Sequence, residues 1–366
     1  MKKLLSIILS LILLFSCTAC GVQSPKQYEY ERDLAGRSLL VHFIDVGQGD
    51  SILLESKGSF VLIDAGEKSR GSDVVDYIRS RGADKLDYII ATHPHSDHIG
   101  GMAKVIKSIS ADNFITVETD QNTSAWLNVL KAVDDRDINY IDAVAGSTYS
   151  FGEAQFTIMA PLSSGYSGYN DYSVVTKVTC GSISFMLTGD AEKQSEKEMI
   201  KSGEDLKADV LKCGHHGSSS SSTAAFLKAV DPSYAVISCG KDNDYGHPHK
   251  ETLKKLGMLD CAVYRTDELG TIVASTDGSA LSFYSADDER ILSTQAGDDP
   301  SSSDSAETSA PITGSEGSYI GNKNSKVFHL PNCESVSAMS EKNKVEFNSR
   351  DDAINSGYRP CSSCDP

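Results

Sequence analysis

The residues able to do chemistry crowd into one short run. Thr92-His93-Pro94-His95-Ser96-Asp97-His98-Ile99-Gly100-Gly101 sets three imidazoles and a carboxylate within six positions, directly after the apolar stretch Leu86–Ala91. Imidazole nitrogen and carboxylate oxygen together suit zinc and related divalent ions. His93 and His95 alternate, so both can aim at one point, while Asp97 and His98 can turn toward a second point nearby. Two ions so placed form the clamp that activates water against a phosphorus or carbonyl centre. Further candidates also follow apolar runs. Phe185–Leu187 leads to Thr188-Gly189-Asp190, Val210–Cys213 leads to Gly214-His215-His216-Gly217-Ser218, and Tyr245-Gly246 leads to His247-Pro248-His249. Of nine histidines, only His42 and His329 lie outside these loops. Such recurrence argues for one shared site rather than scattered surface turns. Cys180, Cys213, Cys239 and Cys261 lie in or beside apolar strands and read as buried thiols.

The elements that must carry these loops are short and mixed. Leu39–Ile44, Ser51–Glu55, Phe60–Ile63 and Tyr88–Ala91 read as strands from their β-branched and aromatic content, as do Gln155–Met159, Ser173–Cys180, Ile183–Leu187, Asp209–Cys213 and Ala235–Cys239. Asp73–Arg81, Gly101–Ile109, Ala224–Val230 and Glu251–Leu256 read as helices. Many strands with interspersed helices predict an α/β sandwich, sheets covered by helices. Hydrophobic residues are 39% of the 366, enough to bury a core, which excludes a fully disordered or fibrous chain. Acidic residues outnumber basic ones 51 to 34, a formal charge of −17, which disfavours a broad basic surface for wrapping duplex DNA. A polyanionic substrate must then be drawn in locally, by metal ions or a small basic patch.

The order of these motifs resembles the metallo-β-lactamase fold hydrolases, in the branch like the extracellular domain of the competence protein ComEC. The resemblance rests on His42-Phe43-Ile44-Asp45-Val46-Gly47-Gln48-Gly49-Asp50-Ser51, Leu62-Ile63-Asp64-Ala65-Gly66, the run at residues 93–98, Leu187-Thr188-Gly189-Asp190, His215-His216-Gly217-Ser218 and Gly246-His247-Pro248. It implies an αββα sandwich with two metal ions at one end of the paired sheets, zinc or alternatively manganese. By the same resemblance His93 and His95 hold the first ion, Asp97 and His98 the second, Asp190 bridges, and one of the adjacent pair completes a shell. His215 is preferred over His216 because it directly follows the strand and glycine. Asp64 is expected to brace the metal loop by hydrogen bonds. Asp45, Gln48 and Asp50 sit on a glycine-rich turn near the site, as supports or substrate contacts. Related ComEC proteins add membrane-spanning segments for DNA uptake, and DNA transport is not carried over to this chain.

The expected mechanism follows from the ions. Zinc lowers the pKa of bound water to about 7, which supplies hydroxide at neutral pH. Asp97 or Asp190 can orient it. His247 or His216 can donate to a non-bridging oxygen or protonate the leaving alkoxide.

Both ends of the chain carry separate signals. Lys2 and Lys3 precede the apolar run Leu4–Phe15, too short to span a bilayer, which needs about 20 residues. It reads as the core of an export signal. Thr18-Ala19-Cys20-Gly21 resembles a lipoprotein processing site, which makes Cys20 the expected lipidated residue, with Cys17 as the alternative. The expected organisation is a signal peptide at 1–20, a polar tether at 21–37, the sandwich at 38–285, a Ser-, Asp- and Gly-rich disordered linker at 286–317, and a small domain at 318–366. In that last segment His329, Cys333, Cys361 and Cys364 have structural-zinc spacing. The segment resembles the metal-binding domain of the DNA-repair protein Ada. His329 stands where that family's repair protein uses its methyl-accepting cysteine, so a closed structural zinc is implied and methyl transfer is not.

The expectation is an exported, lipid-anchored, monomeric, metal-dependent hydrolase on the outer face of the cytoplasmic membrane. Its expected substrate is a phosphodiester, extracellular DNA. The competing expectations are a hydrolase of phosphorylcholine-type or other cell-surface phosphoesters, and a DNA-binding receptor lipoprotein with weak or no catalysis.

Overall fold

In the computed structural model the described residues are Leu34, 36–286 and 290–295, together with 319–323, 326–331, 333, 336, 339, 343–347, 350–356 and 358–361. The expected export signal, Cys17, Cys20 and Cys364 lie outside them. The chain divides into two compact units, Met1–Asp298 and Asp299–Pro366.

The first unit is built on two sheets. One contains β1 (Leu39–Phe43), β2 (Ile52–Ser56), β3 (Ser59–Ile63), β4 (Lys85–Ile90), β5 (Ser110–Thr116) and β6 (Asn139–Asp142). The other contains β7 (Thr148–Phe151), β8 (Ala154–Ala160), β9 (Val175–Cys180), β10 (Ile183–Leu187), β11 (Val210–Lys212), β12 (Tyr234–Ile237) and β13 (Ala262–Arg265). The chain then returns to the first sheet with β14 (Ile272–Thr276), β15 (Leu281–Ser285) and β16 (Arg290–Gln295). The strand orders are β16-β15-β14-β1-β2-β3-β4-β5-β6 and β13-β12-β11-β10-β9-β8-β7.

Between the sheets, Val41, Phe43, Leu54 and Val61 of one meet Phe156, Val178, Phe185 and Val236 of the other in a continuous core. The period-2 alternation of strands puts every second side chain there and sends the rest outward. The outward residues are covered by helices. On the first sheet lie α1 (Gly71–Ser80), α2 (Ser96–Ile99), α3 (Met102–Ser108) and α4 (Ser124–Asp135). On the second lie α5 (Lys193–Ser202), α6 (Ala224–Val230) and α7 (Lys250–Met258). A short α8 (Thr266–Leu269) follows β13. The result is the expected αββα sandwich. In α1 the buried Gly71, Val74, Val75 and Ile78 fall on one stripe at helical spacing. In α4 the Thr123 hydroxyl accepts from Trp126 N, which caps a helix that buries Trp126, Val129 and Val133.

Two boundaries differ from expectation. Arg290–Gln295, assigned by composition to the linker, pairs antiparallel with β15, and Leu292 packs against the inter-sheet core. An edge strand needs only backbone partners and one or two apolar side chains, so its polar composition did not announce it. Leu34, assigned to the tether, is buried with Leu40, Val273 and Tyr284.

The second unit is a small sheet of β17 (Tyr319–Asn322), β18 (Val327–His329), β19 (Lys344–Phe347) and β20 (Arg359–Pro360), in the order β19-β17-β18-β20, with α9 (Arg350–Asn355). Its core is Tyr319, Phe328, Phe347, Ala353 and Tyr358.

Candidate metal centre

The candidate site is assembled from loops that leave strand ends. His93, His95, Asp97 and His98 follow β4, Asp190 follows β10, His215 and His216 follow β11, and His247 follows β12. Asp50 closes the β1–β2 loop and Asp64 follows β3. The β1–β2 loop is pressed onto the metal loop, with Asp50 N donating to Asp97 O at 3.1 Å. A side chain on Gly49 would collide with the Asp97 carbonyl, so only glycine permits this approach.

Asp64 organises the first histidines. Its backbone takes a left-handed φ of 58°, and its buried carboxylate accepts from Thr92 N at 2.9 Å and Thr92 Oγ1 at 2.6 Å. It also accepts from His98 Nδ1 at 2.7 Å. That bond fixes the His98 tautomer and turns Nε2 inward. His98 Nε2, Asp190 Oδ1 and Asp50 Oδ1 are buried without a hydrogen-bond partner, the condition expected of atoms arranged around a cation.

Ligand atoms converge in two groups, each within 4.8 Å: His93, His95 and Asp190, and Asp50, His98, Asp190 and His216. Asp190 belongs to both. Its Oδ2 lies 3.8 Å from His93 Nε2, and its Oδ1 lies 3.2 Å from His98 Nε2 and 3.6 Å from His216 Nε2. Ser173 Oγ accepts from Asp190 N at 3.0 Å and holds the loop. His93 Nε2 and His95 Nδ1 stand 2.9 Å apart, a pair that requires a proton or a cation between them. The donor set of imidazole nitrogens and a shared carboxylate fits two divalent ions.

The adjacent histidines part company. His215 was preferred as the ligand, yet the structure turns His216 inward. Both residues take left-handed backbone angles, φ 49° and 53°, in a tight turn that reverses the expected order. His216 donates from Nδ1 to Ser238 O at 3.0 Å and directs Nε2 at Asp97 Oδ2, 3.2 Å away. The His215 side chain remains 27% exposed and is held by Glu192, whose Oε1 lies 3.0 Å from Nδ1. Its Nε2 lies 3.7 Å from Asp190 Oδ2, at the margin of the first group.

The remaining candidates are distributed unevenly. Asp97 lies 3.9 Å from His98 Nε2, outside both tight groups, with its carboxylate partly open to solvent. Asp50, expected as a support, falls inside the second group. The Asp45 carboxylate accepts from Gly47 N at 2.9 Å within its own loop, and Asp45 N donates to Thr271 Oγ1 at 3.0 Å. Gln48 accepts from Gly240 N at 3.1 Å and ties that loop to the one after β12. His247 is clasped by Asn243, which accepts from His247 N at 2.9 Å and donates to His247 O at 2.6 Å. Its ring centroid lies 5.5 Å from that of His215 and 6.2 Å from that of His216.

The electrostatics reflect buried carboxylates in need of positive charge. Burial opposes ionisation of Asp190, but His98 and His216 overcome it and hold the carboxyl well below its usual range. Burial opposes protonation of His216, yet Asp190 and Asp50 lift its pKa to about 9. His247 goes the other way, pushed down to about 4 by burial and then by His216 and His215, so its ring is neutral.

Lys212 went unrecognised in the sequence. Its side chain is fully buried, with Nζ 2.8 Å from Asp50 Oδ2 and donating to Cys213 O at 2.9 Å. A lysine inside the apolar run Val210–Cys213 was the available signal, because a buried lysine requires a partner. Glu192 and Ser173 carried no comparable signal. In the second unit His329, Cys333 and Cys361 form a third cluster, with Cys333 Sγ 3.5 Å from His329 Nδ1.

The sequence matches the family model of the metallo-beta-lactamase superfamily over residues 44–241 and that of the metal binding domain of Ada over 315–366. ComE operon protein 3 of Bacillus subtilis is 33% identical over 250 residues, covering 63% of this chain and 32% of that protein. Recombination protein 2 of Haemophilus influenzae is 29% identical over 237 residues, covering 63% and 28%. Competence protein ComA of Neisseria gonorrhoeae is 28% identical over 230 residues, covering 62% and 31%. The chain thus spans about a third of the length of these relatives. Among solved structures, the metallo-beta-lactamase fold protein YhfI from Bacillus subtilis aligns with a TM-score of 0.44 at 14% identity, covering 62% of this chain and 96% of that one. No helix among the described residues is long and apolar enough to cross a membrane.

Proposed function

Because the chain belongs to the metallo-beta-lactamase superfamily, with a site that joins two ligand groups through one carboxylate, we propose that it is a metal-dependent phosphodiesterase that cuts DNA at the cell surface. The observation that carries this reading is the position of Asp190 in both ligand groups. Divalent ions bound there would supply Lewis acidity and lower the pKa of water. His93, His95 and Asp190 would hold one ion, and His98, His216 and Asp190 the other, with Asp50 set against His216 by Lys212. Asp97, partly open to solvent, would accept a hydrogen bond from the attacking water and orient it. His247, neutral and held by Asn243, would donate a hydrogen bond to a non-bridging phosphate oxygen. Zinc is the proposed native metal, with manganese as the alternative.

DNA is favoured as substrate by the competence and recombination proteins among the relatives. The second unit's match to the metal binding domain of Ada adds to this, and a structural zinc on His329, Cys333, Cys361 and Cys364 is proposed there. Export and lipid attachment at Cys20 are proposed from Lys2-Lys3, the apolar run Leu4–Phe15 and Thr18-Ala19-Cys20. The anchored protein is proposed to act as a monomer on the outer face of the membrane. The purified protein should be incubated with linear DNA, bis-p-nitrophenyl phosphate and phosphorylcholine esters, with and without added metal. Cleavage of DNA and the simple diester supports the reading. Turnover of phosphorylcholine esters alone would replace it.

A further inference from the structure

Two tyrosines lie near the metal groups without belonging to the ligand set, Tyr169 against the ligand candidate His95 and Tyr245 against His247. Tyr169 meets the His95 ring edge-on, with centroids 6.0 Å apart, and its hydroxyl donates to Asp120 at 2.9 Å. Tyr245 stacks on His247 with centroids 5.6 Å apart and planes at 19°, while 66% of its surface stays open to solvent. The first ligand group is thus bordered by one aromatic ring, and the histidine beside the second group carries another.

Tyr169 also lines a groove of about 750 Å³ together with Tyr166, Tyr172, Val117 and Ala143. That volume lies in the range of small-molecule sites. The three rings lie close together, with Tyr166 and Tyr172 centroids 4.9 Å apart and Tyr169 and Tyr172 centroids 6.3 Å apart. Among the described residues the groove's charged lining is Glu118, Asp120 and Asp142, with no lysine, arginine or histidine. Carboxylates repel a phosphate but accept hydrogen bonds from the amino and imino groups of a base. Thr119, also in the lining, has a buried hydroxyl without a hydrogen-bond partner. The groove therefore suits the base of a nucleotide whose phosphate lies at the ligand groups.

The geometry points to a pair of base-stacking subsites, Tyr169 with its groove on one border and Tyr245 on the other, which select single-stranded nucleic acid. This inference rests on the phosphodiesterase reading above. Bases inside a duplex have no free faces, so rings beside the scissile phosphate can be used only by unpaired nucleotides. Base–aromatic stacking tolerates any sequence, because every base presents a π-face. It also reconciles a strongly acidic protein with a polyanionic substrate, since little of the contact need be made through phosphates.

The test is binding by the metal-loaded protein to octamers with phosphorothioate linkages, which resist cleavage. Fluorescence anisotropy would compare a labelled thymidine octamer with an octamer of the same backbone lacking bases, and with a duplex. We expect the protein to bind the thymidine octamer about tenfold or more tighter than the abasic one, the scale of one or two stacked bases. Tyr169→Leu and Tyr245→Leu should each remove part of that preference, and the double variant should bind both octamers alike. Tyr169→Phe keeps the ring, loses only the bond to Asp120 and should retain most of the preference, which separates stacking from a folding defect. Equal binding of the two octamers by the unaltered protein overturns the inference, as does tighter binding of the duplex or an undiminished preference in the double variant. Hydrolysis by the metal-loaded protein separates the two levels. Equal turnover of the ordinary phosphodiester forms of both octamers leaves the phosphodiesterase reading standing and removes the base subsites. No turnover of any phosphodiester removes both.

Discussion

The ammonium of Lys212 lies 2.8 Å from Oδ2 of Asp50, and both side chains are sealed from solvent. Burial opposes the charged form of each, and their mutual attraction overcomes it, holding Asp50 below and Lys212 above their ordinary pKa values. The pair forms a charged floor beneath His216, whose Nδ1 is 3.3 Å from the other Asp50 oxygen. Breaking a buried pair by removing one partner costs far more than the pair contributes, because a buried charge is left alone. Lys212→Met should therefore lower unfolding stability by ~3–5 kcal/mol. Urea denaturation of the metal-free protein checks this; a loss below about 1 kcal/mol would place the pair in the range of exposed ion pairs.

Asp64 is expected to act on metal without touching it. Its bond to His98 Nδ1 sets which imidazole nitrogen faces the second group. Partners of this kind typically contribute 10–100-fold in metal affinity. Asp64→Ala should weaken retention of one ion by about that factor, measured by equilibrium dialysis and elemental analysis. Unchanged affinity would show that Thr92 and the backbone alone position the ring.

His215 and His216 should separate cleanly. His216→Ala removes a ligand of the second group and should reduce the metal content by one ion, whereas His215→Ala should retain both. The reverse result would restore the assignment preferred from sequence.

That reversal marks where sequence reading stopped. The structure brings His93, His95, His98 and Asp190 together; the histidines stood out in the sequence by their density after an apolar strand, whereas the bridging place of Asp190 was implied by the family resemblance. Which of two neighbouring histidines points inward depends on left-handed backbone angles at both, and neither is glycine. The sandwich was legible from the strands that became β1–β4 and β8–β12, with their alternating or continuous apolar patterns. Strand β16 was not, because an edge strand satisfies its backbone through β15 and needs few apolar side chains. Helix α4 was missed although Thr123 caps it and Trp126, Val129 and Val133 follow at helical spacing. Lys212 was passed over because its partner Asp50 lies far away in sequence.

Among the described residues of the second unit, the core of Tyr319, Phe328, Phe347, Ala353 and Tyr358, with Leu330 and Val345 packed against it, is small for the chain it must order. Metal bound to His329, Cys333 and Cys361 would convert its binding energy into folding energy. Cys361→Ser should therefore speed amide exchange across Tyr319–Asn322 and Lys344–Phe347. It should leave hydrolysis of bis-p-nitrophenyl phosphate unchanged. Exchange rates equal to those of the unaltered protein would mean that the unit needs no metal to fold.

The central claim is that Asp190 joins two metal sites into one hydrolytic centre, and one comparison tests it most directly. The purified protein and Asp190→Ala should be stripped of metal, reloaded with zinc or manganese, and assayed on bis-p-nitrophenyl phosphate, with circular dichroism to verify folding. The account predicts no turnover in the stripped protein, recovery on reloading, and loss of at least about a hundredfold in folded Asp190→Ala whatever metal is added. Full turnover by the stripped protein, or ordinary turnover by Asp190→Ala, would contradict it.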